Sequence, residues 1–63
     1  MNSIEIILVK GEAISIDSSM FNWINVRYLY ENQMWELVTR GLDDDKKNTA
    51  LFPREQVMAV MYD

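Results

Sequence analysis

The sequence predicts an all-β domain of five or six short antiparallel strands. Apolar residues recur in short runs with a period of two, and residues typical of turns separate those runs. Hydrophobic residues make up 49% of the 63 positions and charged residues 25%, which is the composition of a folded globular chain. We therefore expect one small domain over residues 1–63, because a chain of this length has room for a single core.

The first two runs predict a β-hairpin. Residues 4–10 are rich in β-branched and apolar side chains, and residues 13–17 alternate between apolar and polar. Only Gly11 and Glu12 separate them. Glycine suits the first central position of a type II′ turn, where φ is positive, so a two-residue turn is expected here.

This turn sets the expected register of the first hairpin. It pairs Val9 with Ile14 and Ile7 with Ile16, which places these four side chains together on one face. The opposite face of the first strand then carries Ile4, Ile6 and Leu8. A strand that is apolar on both faces is expected to be central in a sheet or covered by another chain.

The next two runs predict a second hairpin. Residues 23–30 and 33–39 flank Glu31 and Asn32, which are expected to form a two-residue loop. The resulting core face contains three cross-strand pairs: Tyr28 with Trp35, Val26 with Leu37, and Ile24 with Thr39.

The outer face of this second hairpin brings complementary side chains together. The same register places Arg27 opposite Glu36 and Trp23 opposite Arg40. An ion pair and a cation–π pair are expected there, each contributing at most about 1 kcal/mol. Leu29 and Met34 form another outer pair, so this face is mixed in character.

The last third of the chain predicts a loop, a fifth strand and a tail that is compatible with two conformations. Residues 43–48 are charged or polar and are expected to form a solvated loop, and residues 49–52 predict a strand. The tail is compatible with a 3₁₀ turn over residues 53–56 followed by a strand. The alternative is a helix over residues 54–62, which would make the fold α+β.

The favoured form of the tail has a counterpart in known folds. A strand, a 3₁₀ turn and a closing strand is similar to the end of many SH3-like small barrels. This resemblance implies an SH3-like barrel or sheet.

The residues that most catalytic and metal sites require are scarce. The chain has no cysteine and no histidine, which excludes disulfides, thiol catalysis and histidine-based metal or acid–base chemistry. Ser18 and Ser19 have no candidate base. Consecutive residues such as Asp43, Asp44 and Asp45 point in different directions, which does not suit a shared cation. We expect no enzymatic activity, no metal and no cofactor.

Charge and hydropathy argue against nucleic acid and membrane partners. The net charge is −4, whereas nucleic-acid binding depends on basic side chains. The longest apolar run, residues 6–9, is far shorter than the roughly 20 residues that span a bilayer. No basic segment precedes a long apolar stretch, so nothing marks secretion, and a cytoplasmic location is expected.

A small domain of this kind is expected to bind other proteins. Small domains without disulfides or metals are marginally stable, so many of them gain stability from self-association or from binding a partner. The predicted outer surfaces also carry more apolar area than a monomer leaves in water, which favours a homo-oligomer. The apolar residues on these surfaces form an outer stripe, which contains Ile4, Ile6, Leu8, Trp23, Leu29, Met34 and Val38.

The expected function is a small acidic regulator or inhibitor, of a type often encoded by phages, plasmids and bacterial operons, that binds another protein. The expected contact residues are Trp23, Arg27, Leu29, Met34 and Arg40. The acidic loop at Asp43, Asp44 and Asp45 is expected to steer a basic partner or to mimic nucleic-acid charge.

Two alternative functions use the same predicted fold. One is a barrel that binds single-stranded nucleic acid through aromatic side chains and a cluster of cations. It would need Arg27, Arg40, Arg54, Lys46 and Lys47 to gather on one side. The other is a small assembly subunit of a phage or mobile element, which would form a ring or larger oligomer.

Overall fold

The computed structural model describes all residues 1–63 and contains six antiparallel strands in two sheets. The strands are β1 (Ser3–Leu8), β2 (Ala13–Asp17), β3 (Trp23–Leu29), β4 (Met34–Arg40), β5 (Lys47–Pro53) and β6 (Val57–Tyr62). Sheet A has the strand order β2-β1-β6, and sheet B has the order β3-β4-β5. The all-β prediction is confirmed.

The two sheets pack their inner faces against each other without sharing a strand. The core consists of three residues from β1 and three from β3 and β4: Ile4, Ile6, Leu8, Ile24, Val26 and Leu37. The hydrogen-bonded ladders stay within each sheet, so they do not close into a barrel. The central position of β1 in sheet A agrees with its apolar character on both faces.

The C-terminal tail is a 3₁₀ turn followed by a strand. The turn covers Arg54–Gln56, and β6 then pairs with β1. The alternative of a helix over residues 54–62 is wrong. Pairing with β1 satisfies the backbone of β6 and packs Val57 and Val60 against the core, which the helical spacing alone did not reveal. The helical segments of the structure are two 3₁₀ turns of three residues each, which are too short to span a bilayer.

The expected register of the first hairpin is wrong by three positions. Ile6 pairs with Ile14, and Leu8 N–H donates to the Glu12 carbonyl at 2.8 Å. The loop therefore has three residues rather than two, and Gly11 closes it with φ of +98°. A three-residue hairpin loop places glycine at its left-handed final position, which is how Gly11 is used.

This shift exchanges the two faces of β1. A register change by an odd number of residues turns every side chain to the other side of the sheet. Ile4, Ile6 and Leu8 are therefore core residues and not part of an outer stripe, and Ile6 is fully buried. Val9 is exposed, and Ile7 is half-buried on the outer face of sheet A.

The expected register of the second hairpin is confirmed throughout. Tyr28 pairs with Trp35, and Arg27 pairs with Glu36. The loop is longer than expected, because β3 ends at Leu29 and β4 begins at Met34. It turns tightly through a hydrogen bond from Asn32 N–H to the Leu29 carbonyl and a positive φ at Gln33, so the register is unchanged.

The loop between β4 and β5 is shorter than expected. Lys47 and Asn48 belong to β5, because an edge strand with exposed side chains accommodates polar residues. Gly41 lies at the start of the loop, where a Cβ atom would clash with the carboxylate of Asp44. Asp45 adopts a positive φ of 52° at the far side.

Asp17 lies where the chain passes from sheet A to sheet B, and its pKa depends on a hydrogen bond in that turn. Its carboxylate accepts the Ser19 backbone N–H at 2.8 Å, at the start of the 3₁₀ turn Ser18–Met20. This bond, aided by the Ser19 side chain, holds the pKa of Asp17 below its ordinary value of 3.8.

We expect an NMR titration of Asp17 to give a midpoint below 3.8. A carboxyl whose pKa is depressed by folding stabilises the fold above its unfolded pKa, and this contribution disappears as pH falls through the folded value. Asp17→Asn should therefore weaken the fold at neutral pH and reduce the loss of stability on acidification. A midpoint at or above 3.8 would contradict the hydrogen bond.

Candidate functional site

The candidate site is the outer face of sheet B, the side of β3, β4 and β5 that points away from the core. Cross-strand pairing arranges its side chains in four rows. From one end to the other, the rows are Trp23, Arg40 and Lys47; Asn25, Val38 and Thr49; Arg27, Glu36 and Leu51; and Leu29, Met34 and Pro53.

The five residues expected to contact a partner all lie on this face. Trp23 is 45% exposed, and Arg27 and Arg40 are exposed, whereas Leu29 and Met34 are half-buried at the other end. The period of two along β3 and β4 places them together, because odd positions of β3 pair with even positions of β4.

Arg40 lies over the indole ring of Trp23. Its guanidinium carbon is 5.7 Å from the ring centroid, which is the distance of a cation–π contact. The contact restricts the rotamers of both side chains while leaving part of the indole open to solvent. A preorganised exposed aromatic of this kind costs little conformational entropy when it binds.

Arg27 and Glu36 form the expected ion pair in the third row. Arg27 Nε donates to Glu36 Oε1 at 2.6 Å, and the Glu36 side chain is only 17% exposed. Surface ion pairs contribute about 0.2 to 1 kcal/mol, so the main consequence is geometric. The pair holds Glu36 against the sheet and neutralises one of the cations.

Val38 gives this face a small apolar centre of its own. It is 4% exposed although it points away from the main core, so it was wrongly expected to belong to an exposed stripe. The central position of β4 explains the burial, because side chains of β3 and β5 flank it on both sides. Beside it, Leu51 is 52% exposed.

Lys47 and Leu51 complete the face, and neither was among the protein contacts predicted from the sequence. They come from β5, whose start was placed two residues too late and whose pairing was left unassigned. The sequence has no clear signal for them, because residues 47–49 are polar and residues 50–52 are apolar, without the alternation of a half-buried strand.

The acidic loop lies next to the Trp23 end of the face, and two of its three carboxylates have partners. Asp44 Oδ1 accepts the Lys46 backbone N–H at 3.0 Å, and Asp45 Oδ1 accepts from Asn22 Nδ2 at 3.2 Å. These bonds shape the loop and tie it to the start of β3. No group of three or more acidic side chains is placed to hold a metal ion.

The charge of the outer face differs in sign from that of the chain. The face carries three cations, Arg27, Arg40 and Lys47, and one carboxylate, Glu36. The whole chain has a net charge of −4, so the acidic residues are concentrated elsewhere. The five cations expected for a nucleic-acid site do not all gather here, because Arg54 lies in the second 3₁₀ turn.

A second surface feature is an aromatic cleft at the hairpin end of sheet B. It is lined by Tyr28, Tyr30, Trp35 and Arg54. The ring centroid of Tyr28 is 4.9 Å from that of Tyr30 and 5.2 Å from that of Trp35, both in edge-to-face geometry. Trp35 packs against the core, as the register of the second hairpin predicts, and Phe52 pairs with it and also packs there, while Tyr30 is 83% exposed.

Comparisons of the chain with known protein families, with characterised proteins and with solved structures find no match. The side chains and their geometry therefore provide the basis for assigning a function.

Proposed function

We propose that this chain is a small acidic, non-enzymatic regulator or inhibitor that binds another protein through the outer face of sheet B. The observation that carries the proposal is the half-exposed Trp23 held beneath Arg40 on a sheet face that points away from the core. Tryptophan and arginine are the residues that most often dominate binding energy at protein interfaces.

The neighbours of Trp23 support an interface of the usual composition. Such interfaces combine an apolar centre with a polar rim. Here Trp23 and Leu51 supply exposed apolar surface on either side of the buried Val38, and Arg40 and Lys47 lie beside Trp23. The strands hold these side chains in fixed rows, so binding requires little rearrangement.

The excess of cations on the face favours an acidic partner surface. Arg40 and Lys47 lack carboxylate partners within salt-bridge distance, so both are available to carboxylates of a partner. The opposite net charge of the chain does not prevent this, because solvent and salt screen exposed charges beyond about 8 Å.

We also propose that the strands have an SH3-like arrangement. The succession of β5, the 3₁₀ turn Arg54–Gln56 and β6 supports an SH3-like arrangement that is open between the sheets. In that arrangement the outer face of sheet B is a free surface, which is consistent with its use in binding.

Peptide selection tests the proposed partner chemistry. Random peptides displayed on phage are selected against the immobilised chain, and we expect enrichment of an aromatic or aliphatic residue flanked by aspartate or glutamate. Amide shifts in an NMR titration with a selected peptide should then change at Trp23, Arg40 and Leu51. Peptides without acidic residues whose shifts map to Tyr30 and Arg54 would contradict the proposal.

The aromatic cleft supports a second candidate function, the binding of single-stranded nucleic acid. Tyr28, Tyr30 and Trp35 offer stacking surfaces beside one cation, Arg54. Stacking on such rings contributes about 1 to 3 kcal/mol per base. Fluorescence anisotropy with a labelled single-stranded DNA tests it: a rise that falls steeply with salt and disappears in Tyr30→Ala supports this candidate, and no rise excludes it.

A further inference from the structure

Strand β5 has a free edge that is suited to pairing with another strand. It is the last strand of sheet B and forms its only ladder with β4. Its first five residues are all exposed, including Asn48 and Ala50, which point toward the side of the core. Sheet A therefore leaves this end of β5 uncovered on both faces.

The hydrogen bonds just before and just after β5 show which of its backbone groups point to the free edge. Gly41 N–H donates to the Lys46 carbonyl, and Arg54 N–H donates to the Gln33 carbonyl, at 3.2 and 3.0 Å. Both bonds fit the register of β4 with β5, in which bonded pairs alternate with non-bonded pairs. Even-numbered residues of β5 therefore bond to β4.

The odd-numbered residues of β5 consequently direct their backbone groups outward. Lys47, Thr49 and Leu51 each present an N–H and a carbonyl at the free edge, and Pro53 presents only a carbonyl. Exposed edges of this kind pair readily with other strands unless charges or bulges prevent it. The only charge in β5 is Lys47, at its first position.

We propose that β5 pairs antiparallel with β5 of a second copy of this chain about a two-fold axis at Ala50. In this register Thr49 exchanges both backbone hydrogen bonds with the partner subunit's Leu51. Lys47 N–H donates to the carbonyl of the partner subunit's Pro53. The missing N–H of proline thus falls at the end of the ladder, where it interrupts no pair.

The side chains fit this two-fold register. The two Ala50 residues face each other in a non-hydrogen-bonded pair, where side chains approach most closely, and alanine is small enough for that position. Lys47 lies opposite the partner subunit's Pro53, so the two lysines stay at opposite ends. The partner subunit's Glu55 follows at the same end and complements the charge of Lys47.

The other free edges suit self-pairing less well. Strand β2 has five residues, with Glu12 before it and Asp17 at its end, so pairing two copies adds acidic groups along the edge. Strand β6 contains a register shift opposite Ile7 and Leu8, which distorts its ladder. Strand β3 is as long as β5, but it carries the charged Arg27 in its interior, whereas the only charge of β5 is at its first position. Strand β5 is longer than β2 and β6 and has no register shift.

Pairing through β5 would join the two outer faces of sheet B into one six-stranded surface. Each copy contributes its own Trp23 at the far side of the sheet from the axis. The dimer would therefore present two binding faces in fixed relative orientation. A partner with two matching segments would bind with enhanced avidity.

A charge-exchange experiment tests the position of the axis. Because Ala50 faces itself across the axis, Ala50→Lys and Ala50→Glu should each bring like charges together and raise the dimer dissociation constant about tenfold or more. An equimolar mixture of the two variants should restore the dimer, because opposite charges then face each other. Sedimentation equilibrium of the full chain measures both effects, and circular dichroism confirms that the variants are folded.

The matched control is Ala13→Lys, which places a lysine on the edge strand β2 at an exposed alanine. It should leave the dimer unchanged. The proposal is overturned if the unaltered chain is monomeric at millimolar concentration, if it forms a ring or larger assembly, or if the mixed variants remain monomeric.

Amide hydrogen exchange on the unaltered chain provides a measurement that needs no variant. The amides of Thr49 and Leu51 should be protected in concentrated solution and exchange rapidly on dilution. The amide of Ala50, which bonds to β4, should remain protected in both. Equal and rapid exchange of Thr49 and Leu51 at both concentrations would also overturn the proposal.

Discussion

Ile6→Ala is expected to destabilise the fold by about 3 kcal/mol, the usual cost of truncating a buried isoleucine. Ile6 is fully buried between the sheets and has no route to solvent. A domain of this size has a total stability of only about 3 to 9 kcal/mol. The variant should therefore be partly or largely unfolded, and urea denaturation followed by circular dichroism measures the change.

Ile7→Ala is the matched control for this prediction. Ile7 is the next residue along β1 and points to the outer face of sheet A, where it is half-buried. Its truncation should cost about 1 kcal/mol or less. If Ile7→Ala is as damaging as Ile6→Ala, the faces of β1 are reversed and the three-residue loop is incorrect.

Trp23→Ala is expected to weaken binding of a selected acidic peptide by about thirtyfold, since an interface tryptophan contributes about 2 kcal/mol or more. The loss includes the surface of the indole and the positioning of Arg40 above it. Because Trp23 is outside the main core, the fold should persist, which circular dichroism checks. Fluorescence anisotropy of the labelled peptide measures the affinity.

Tyr30→Ala provides the matched aromatic control. Tyr30 is 83% exposed in the aromatic cleft and lies outside the outer face of sheet B. Its removal should leave peptide affinity unchanged. If Tyr30→Ala abolishes binding while Trp23→Ala binds normally, the cleft is the binding site and the outer face is not.

The two hairpins show when a register is predictable from sequence. In the second hairpin, residues 24–28 alternate between apolar and polar, and a shift by one residue would bury either Arg27 or Glu36. Many cross-strand pairs therefore agree on one register. The correct pairing was predictable even though the length of the loop was not.

The first hairpin has fewer cross-strand pairs that favour one register. Between residues 4 and 9, one face of β1 carries three apolar side chains and the other carries two beside Glu5, so the pattern distinguishes the faces only weakly. Only the turn could distinguish the registers, and Gly11 is compatible with a two-residue loop as well as with the observed three-residue loop. The core of sheet A was unpredictable for this reason.

The candidate face was predictable where it depends on the second hairpin. The contacts of Trp23 with Arg40 and of Arg27 with Glu36 follow from that register alone. The contribution of Leu51 depends on pairing between β4 and β5, and residues 41–46 between these strands contain no turn signal specific enough to set it. The burial of Val38 was also unpredictable, because it depends on packing against side chains of the neighbouring strands β3 and β5.

Affinity purification of the tagged chain from its source cells at low salt tests the central proposal most directly. The co-purifying bands, the ratio of absorbance at 260 and 280 nm and the effect of Trp23→Ala are read together. We expect a stoichiometric protein partner that is lost in Trp23→Ala and retained in Tyr30→Ala. Nucleic acid in the peak, or a partner band that is equally strong with Trp23→Ala, would contradict it.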